Sequence, residues 1–398
     1  MTVHTQAMPP QRTPRRDSLI NNPTVRSTAI QVLLIVALVA FGWWIVDNTA
    51  TNLRNANIAS GFGFLENRAG FDIAQVPIDY TSNSTYGRAI LVGIVNTIIV
   101  SLSGIVMATI IGFLVGIGRL SHNFLIRGLS TVFVETFRNI PPLLVILFWY
   151  FGVLSVLGPP RNLEENPFGV YLTNRGLQVP SAVFGESAWL PLAAFAIGLV
   201  ALFVMSRRNR ARQMATGERR SLVGPALGLL VGLPLVVYFV TGDPITFDAP
   251  QATRFNLVGG WQIKPEFLAL FLALSIYTAA FIAEIVRAGI MAVSKGQTEA
   301  AAALGLRRGQ ALRLVIVPQA FRVIIPPLTS QFLNLTKNSS LGLAVGYPEL
   351  VAVGNTVLNQ SGQSIEVVMI WMVVYLGISI LVSVGMNAFN ARMALVER

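Results

Sequence analysis

The side chains in this 398-residue sequence that could do chemistry fall in four short stretches, and none has the make-up of a catalytic centre. Glu135-Thr-Phe-Arg138-Asn139 and Glu284-Ile-Val-Arg287 each set an acid and a base on one face of a helix, where they can neutralise one another. Lys337-Asn338-Ser339-Ser340 gathers a cation and hydrogen-bonding groups. Asn334 lies about one turn before it, and Tyr277 shares an apolar run with Glu284. Charged and hydrogen-bonding groups within apolar sequence, next to prolines that break a helix, are a hint of function. The two acid–base pairs equally suit holding helices together near a membrane interface, and the sequence leaves both readings open. His4 and His122 stand apart from any carboxylate cluster and there is no cysteine, so neither a metal site nor a general base is expected.

The fourth stretch is Ser294-Lys-Gly-Gln297-Thr-Glu299-Ala300-Ala301-Ala-Ala-Leu304-Gly305, which leads on to Val315-Ile-Val317-Pro318. Ser294 followed by Gln297 predicts a capping box, the alanine run is the strongest helix former available, and Gly305 supplies a left-handed stop. A helix of about two turns is not stable alone in water, so membrane helices at its ends or a partner's groove must hold it. Small side chains permit close docking, and Glu299 offers an acceptor to a basic group opposite.

The elements that position these stretches must be membrane helices. With 53% hydrophobic and 12% charged residues, the chain has too little polar surface for a soluble protein of its size. An all-α membrane protein of eight spans is expected, at 29–46, 88–117, 124–157, 188–205, 222–240, 265–293, from Gln319 through Pro326-Pro327 to a polar break at Lys337, and at 366–389. Residues 1–28 read as a polar tail, and 29–46 as an uncleaved first helix rather than a cleaved signal. Pro141-Pro142 and Pro326-Pro327 predict broken helices, and Gly112 with Gly116 has the small-xxx-small spacing of close helix packing. Residues 158–254 differ in character and carry two spans with Arg207, Arg208, Arg210, Arg212, Arg219 and Arg220 between them. That cluster reads as a topology anchor, or as a site for anionic membrane lipid. Twenty of the 29 basic residues then fall on one side, which predicts cytoplasmic termini and a cytoplasmic Glu299. The net charge of +11 is thereby assigned to topology, and no nucleic acid partner is expected.

No Gly-Lys dipeptide occurs, so the chain cannot form a P-loop, and any ATP that drives it must bind elsewhere. The Glu299, Ala300, Ala301, Gly305, Val315, Val317, Pro318 pattern resembles the cytoplasmic coupling loop of ABC importer permeases, with valines where the family usually has Ile and Leu. Asn96-Thr97, Glu135-Thr-Phe-Arg138-Asn139-x-Pro141, Glu284-Ile-Val-Arg287, Pro318-Gln319-Ala320 and Lys337-Asn-Ser-Ser340 are similar to the signatures of polar amino acid permeases, the His/Glu/Gln/Arg/opine type. The extra first helix and inserted span pair resemble the larger general L-amino acid form. The resemblance implies a type I importer core of five helices, split over 88–157 and 265–390, with coupling loop 294–318. It also implies a bacterial inner membrane location, an ABC ATPase, a second homologous permease, a periplasmic amino acid-binding protein and an amino acid substrate. ATP and Mg would sit on the ATPase, so this chain would bind no cofactor and would not itself be an enzyme. The coupling residues would be Glu299, Ala300, Ala301, Leu304, Gly305 and Pro318. The translocation pathway is expected at Glu135, Arg138, Asn139, Tyr277, Glu284, Asn334, Lys337, Asn338, Ser339 and Ser340. An ion-gradient-driven secondary transporter, or a channel or scaffold, would share the spans but gives the Glu299 loop no purpose.

Overall fold

The computed structural model describes residues 23–55, 60–161, 163–164, 166–218, 220–242, 244–254 and 256–393. Arg12, Arg15, Arg16, Arg219 and Arg398, five of the twenty basic residues that the topology expectation places in the cytoplasm, lie outside the described residues. The helix α1 (Pro23–Asn55) has 33 residues. At 1.5 Å per residue it is about 50 Å long, beyond the roughly 30 Å of a hydrocarbon core. The expected span at 29–46 is its centre, and residues 23–28, expected in the polar tail, are already helical.

Helix α2 (Tyr86–Gly118) opens at Thr85, whose hydroxyl accepts from the Arg88 amide at 3.2 Å. Helix α3 (Phe124–Asn139) opens at Asn123, whose side chain accepts from the amides of Leu125 and Ile126. Helix α4 (Pro142–Leu147) continues through a π-helical segment, Phe148–Leu154. The α3 and α4 runs meet at 111°, so the single third span expected over 124–157 is two helices. The cause is local: Ile140 precedes proline and takes the extended conformation (φ −102°, ψ 132°) that such residues favour, and Pro142 starts a new helix.

Next come α5 (Trp189–Thr216), α6 (Val223–Leu227) and α7 (Leu233–Val240), the last two joined by a π-helical segment, Gly228–Gly232. The expected span at 188–205 therefore continues as helix past its arginines. The remaining helices are α8 (Pro265–Met291), α9 (Lys295–Ala303), α10 (Arg308–Ala311), α11 (Val317–Asn338), α12 (Leu350–Ser361) and α13 (Ser364–Met393). Among the described residues seven runs are long and apolar enough to cross a membrane, or eight if the bent α3–α4 pair is one broken span. The break expected at Pro326-Pro327 does not occur, because α11 runs through both prolines. Ile324, Ile325 and Leu328 are buried on either side of them, and this packing holds the helix despite two missing N–H donors.

The core is the α2–α8 pair with α11 laid against it, and includes Val100, Ala108, Leu270, Leu274, Ile282, Val286 and Ile324. A Cβ on Gly112 would stand 2.6 Å from Ile282 Cβ, and one on Gly116 would stand 2.7 Å from the Ala283 carbonyl oxygen. The spaced glycines thus let two backbones touch, which in lipid is where packing energy comes from.

The spans are helical, as expected. Among the described residues, the polar parts of 158–264 add seven short strands: β1 (Tyr171–Thr173), β2 (Gly176–Val179), β3 (Ser181–Phe184), β4 (Ile245–Asp248), β5 (Gln251–Ala252), β6 (Leu257–Val258) and β7 (Trp261–Ile263). Strand β2 pairs antiparallel with β1 and β7, and β3 with β4, so segments on either side of the α5–α7 hairpin are joined. Leu177 and Ile263 face each other across β2–β7 and pack on Leu154, Leu268 and Ala269 of the helical core. Strands this short leave too little alternation to be seen in sequence.

Candidate functional site

Helix α9 opens at Ser294, yet the Ser294 side chain makes no capping bond, so the expected capping box is not formed. The Gln297 amide donates to the Ser294 carbonyl at 3.0 Å instead. The Gln297 side chain accepts from Gln319 Nε2 at 3.0 Å, which ties α9 to the first turn of α11. At the other end Gly305 takes φ +74°. Its N–H donates to the Ala302 carbonyl at 2.9 Å and the Leu306 N–H to Ala301 at 3.1 Å, a Schellman closure. Ala301 is buried on the chain's own surface, whereas Glu299 and Ala300 are exposed and Leu304 is 81% exposed. Pro318 lies inside one continuous helical run, where the π-helical segment Leu312–Ile316 passes into α11. Between α9, the end of α8 and the segment after α10 is a cavity of about 390 Å³ lined by Ile290, Val293, Thr298 and Leu306. The result is a short helix held on one face, with an acid and a leucine free on the other.

Glu284 on α8 is the hub of a charged cluster. It accepts from Arg287 Nη2 at 2.5 Å, the pairing expected from their spacing, and also from Arg119 at the end of α2. Arg119 reaches on to Glu135 of α3 at 3.5 Å. The expected neutralisation of Glu135 by Arg138 is not made: the Arg138 guanidinium lies 5.6 Å from the centre of the Phe281 ring. Phe281 in turn packs against Tyr277, with ring centres 5.0 Å apart and the planes tilted by 55°. Asn139 donates its side-chain amide to the Glu135 carbonyl at 2.6 Å, in the last turn before the bend. Side-chain exposure falls from 57% at Glu135 to 25% at Glu284 and 13% at Arg119, so the buried end of the chain of charges is the better paired.

Five of the ten expected pathway residues, Glu135, Arg138, Asn139, Tyr277 and Glu284, are thus brought together. The other five lie at the end of α11 (Asn334, Lys337 and Asn338) and the start of the 3₁₀ segment Ser339–Val345 that follows it. Asn334 and Lys337 are exposed, and Asn338 and Ser340 are half-buried. Ser339 is fully buried and donates its hydroxyl to the Thr336 carbonyl at 2.6 Å, while Ser340 donates to the Lys337 carbonyl at 2.8 Å.

Sequence reasoning missed a buried polar knot around Glu349, which is 0% exposed. Its carboxyl accepts from the Val351 and Ala352 amides at 2.8 Å each, capping α12, and from the Tyr375 hydroxyl at 3.2 Å. Thr97 accepts from the Leu350 amide at 3.1 Å, and Asn96 donates to the Pro348 carbonyl at 2.9 Å. The Tyr347 hydroxyl returns to the Asn96 carbonyl at 3.1 Å. Asn96-Thr97 therefore joins α2 to the start of α12. Burial pushes the Glu349 carboxyl up to about 7, against the downward pull of the two amides. Burial, and then the neighbouring Glu349 charge, also raises the Tyr347 hydroxyl. An acid just before the apolar run Leu350–Val353 was the available signal, but its burial is a tertiary fact.

Among the described residues, helices enough for seven or eight crossings, a glycine-mediated core and an exposed helix strung between two core helices make this a polytopic helical membrane protein. Residues 221–395 match the model of the family described as binding-protein-dependent transport system inner membrane component. The chain is 59% identical to the general L-amino acid transport system permease protein AapQ of Rhizobium johnstonii, over 96% of this chain and 95% of that one. It is 50% identical to YhdX of Escherichia coli, a putative amino-acid ABC transporter permease protein, over 95% of this chain and 96% of that one. It is 41% identical to BztB of Rhodobacter capsulatus, a glutamate/glutamine/aspartate/asparagine transport system permease protein, over 98% and 99% of the two chains. The chain belongs to this family of inner membrane transport components, among its amino acid ABC transporter permeases.

Proposed function

We propose that this chain is the membrane-spanning subunit of an ATP-driven importer that moves L-amino acids across the bacterial inner membrane by alternating access. The observation that carries this reading is the mounting of α9, which follows α8 directly and is bonded to α11 through Gln297 and Gln319. Both neighbours are core helices, so a pull on the exposed Glu299–Leu304 face is delivered to the core. A separate ATPase gripping Glu299, Ala300 and Leu304 on the cytoplasmic side would supply that pull, with ATP and Mg bound to the ATPase. Gly305 and Pro318 would keep the helix short and its exit rigid. The grip must differ in free energy between nucleotide states, since equal docking in both would transmit no motion.

A second homologous permease and a periplasmic amino acid-binding protein complete the assembly in this reading. Glu135, Arg138, Asn139, Tyr277 and Glu284 line one part of the pathway, and Asn334, Lys337, Asn338 and Ser340 another, while Ser339, expected beside them, is buried and braces the chain there. The substitution Glu299→Ala in the reconstituted complex tests the coupling. Uptake and substrate-stimulated ATP hydrolysis should both fall about ten-fold or more, the effect of losing one charge-assisted contact, with membrane insertion unchanged. Wild-type coupling in that variant would remove the docking role, and gradient-driven uptake by the purified chain alone would replace it with secondary transport.

A further inference from the structure

The α5–α7 hairpin ends in a basic turn that the transport reading does not use. Asn209 on α5 donates its side-chain amide to the Arg220 carbonyl at 2.7 Å and accepts from the Arg220 N–H at 3.2 Å. This double bond to the backbone folds the returning chain alongside the last turns of α5. Between the two lies a groove of about 1020 Å³. Leu199, Leu202 and Phe203 form one end of its α5 wall, Arg210 and Gln213 the other, and the returning chain adds Arg220 and Val223. No acid lines it among the described residues. Arg207 stacks on Phe203 at 4.8 Å, beside the point where apolar lining gives way to charge.

We propose that this groove is a binding site for one anionic phospholipid, its acyl chain against Leu199, Leu202, Phe203 and Val223 and its phosphate between Arg210 and Arg220. The order of the lining is the order of a lipid: hydrocarbon along the apolar part of α5, phosphate where the helix leaves it. A topology anchor needs only positive charge near the end of a span; it needs no groove that continues into an apolar wall. A zwitterionic lipid would bring its ammonium group to a rim that already holds two guanidiniums and no acid, so the anionic headgroup is preferred.

The site is tested on the intact purified transporter by native mass spectrometry with added phosphatidylglycerol or phosphatidylcholine. One phosphatidylglycerol per copy of this chain should be retained in preference to phosphatidylcholine. The variant R210Q/R220Q should weaken it by about 30-fold, since each arginine near an anionic headgroup contributes roughly a factor of five. The variant A226W, which fills the groove and leaves every charge in place, should also displace it. R26Q/R127Q, which removes two basic residues elsewhere, should not, and inorganic phosphate should not compete. Equal retention of the two lipids, equal loss in R26Q/R127Q, unchanged binding in A226W, or competition by inorganic phosphate would each overturn the site.

Discussion

Two carboxylates with opposite surroundings set the behaviour of this chain at the scale of single residues. Glu284 sits between Arg119 and Arg287, so Glu284→Gln leaves Arg287 without its ionised acceptor and Arg119 with only the long contact to Glu135. The expected cost is about 1–3 kcal/mol, read as a fall in the Tm of the detergent-purified protein. Glu135→Ala should cost under about 1 kcal/mol, because that carboxylate is mostly exposed and its one ion pair is long. A larger loss at Glu135 than at Glu284 would contradict the hub. Glu349 acts through pH. Its ordinary value is 4.5, and burial raises it to about 7. Below about 4.5 the carboxyl is protonated both folded and unfolded. Between that pH and about 7 the unfolded chain has released a proton that the folded chain keeps, so stability falls as pH rises through the window and levels off above it. Thermal unfolding from pH 4.5 to 8 should show this slope in the native chain and a flatter profile in Glu349→Gln; an identical slope in both would assign the titration elsewhere. The Glu284–Arg287 pair was legible because it is local, whereas Arg119 comes from 165 residues away and could not be read from spacing.

Among the elements, the α2–α8 contact decides whether the core forms. Gly112→Ala places a methyl group 2.6 Å from Ile282 Cβ, on two helices that cannot part without opening the rest of the core. A destabilisation of about 1–3 kcal/mol is expected, whereas Gly128→Ala, with open space at its Cβ, should be neutral or slightly stabilising. Equal Tm values for the two variants would sink the close-approach account. The small-xxx-small spacing announced that α2 packs closely, but not that α8 is its partner. The bend between α3 and α4 was legible in Pro141-Pro142 because the residue before a proline loses its helical conformation. The same dipeptide form at Pro326-Pro327 misled, since buried side chains on both sides outweigh two lost hydrogen bonds.

On the scale of the whole molecule, the inserted hairpin is separable at one place and stitched at another. The Gly185 N–H donates to the Pro244 carbonyl at 2.9 Å, and β3 pairs with β4 immediately outside that bond. Deleting 186–243 therefore removes α5 to α7 across a gap that a short turn can close. Such a chain should insert and still bind the proposed ATPase while losing the proposed anionic lipid; failure to assemble would show that the hairpin belongs to the core. Deleting all of 158–254 should be far more damaging, because β2 and the Leu177–Ile263 contact anchor this part to α8. The proposed lipid groove and the proposed ATPase contact lie on different hairpins, so each can be lost without the other.

Hydrophobic run length and charge placement, which are properties of sequence, determined that the chain is a bundle of membrane helices with a short helix strung between two of them. A membrane leaves the backbone few alternatives, and the alanine run with its glycine stop leaves α9 few as well. That Arg119 bridges Glu284 and Glu135 was decided only by tertiary structure, as were the burial of Glu349 beneath α12 and the groove made by folding Arg220 back onto Asn209. Each depends on bringing distant segments within about 3–4 Å, and no local pattern encodes that distance.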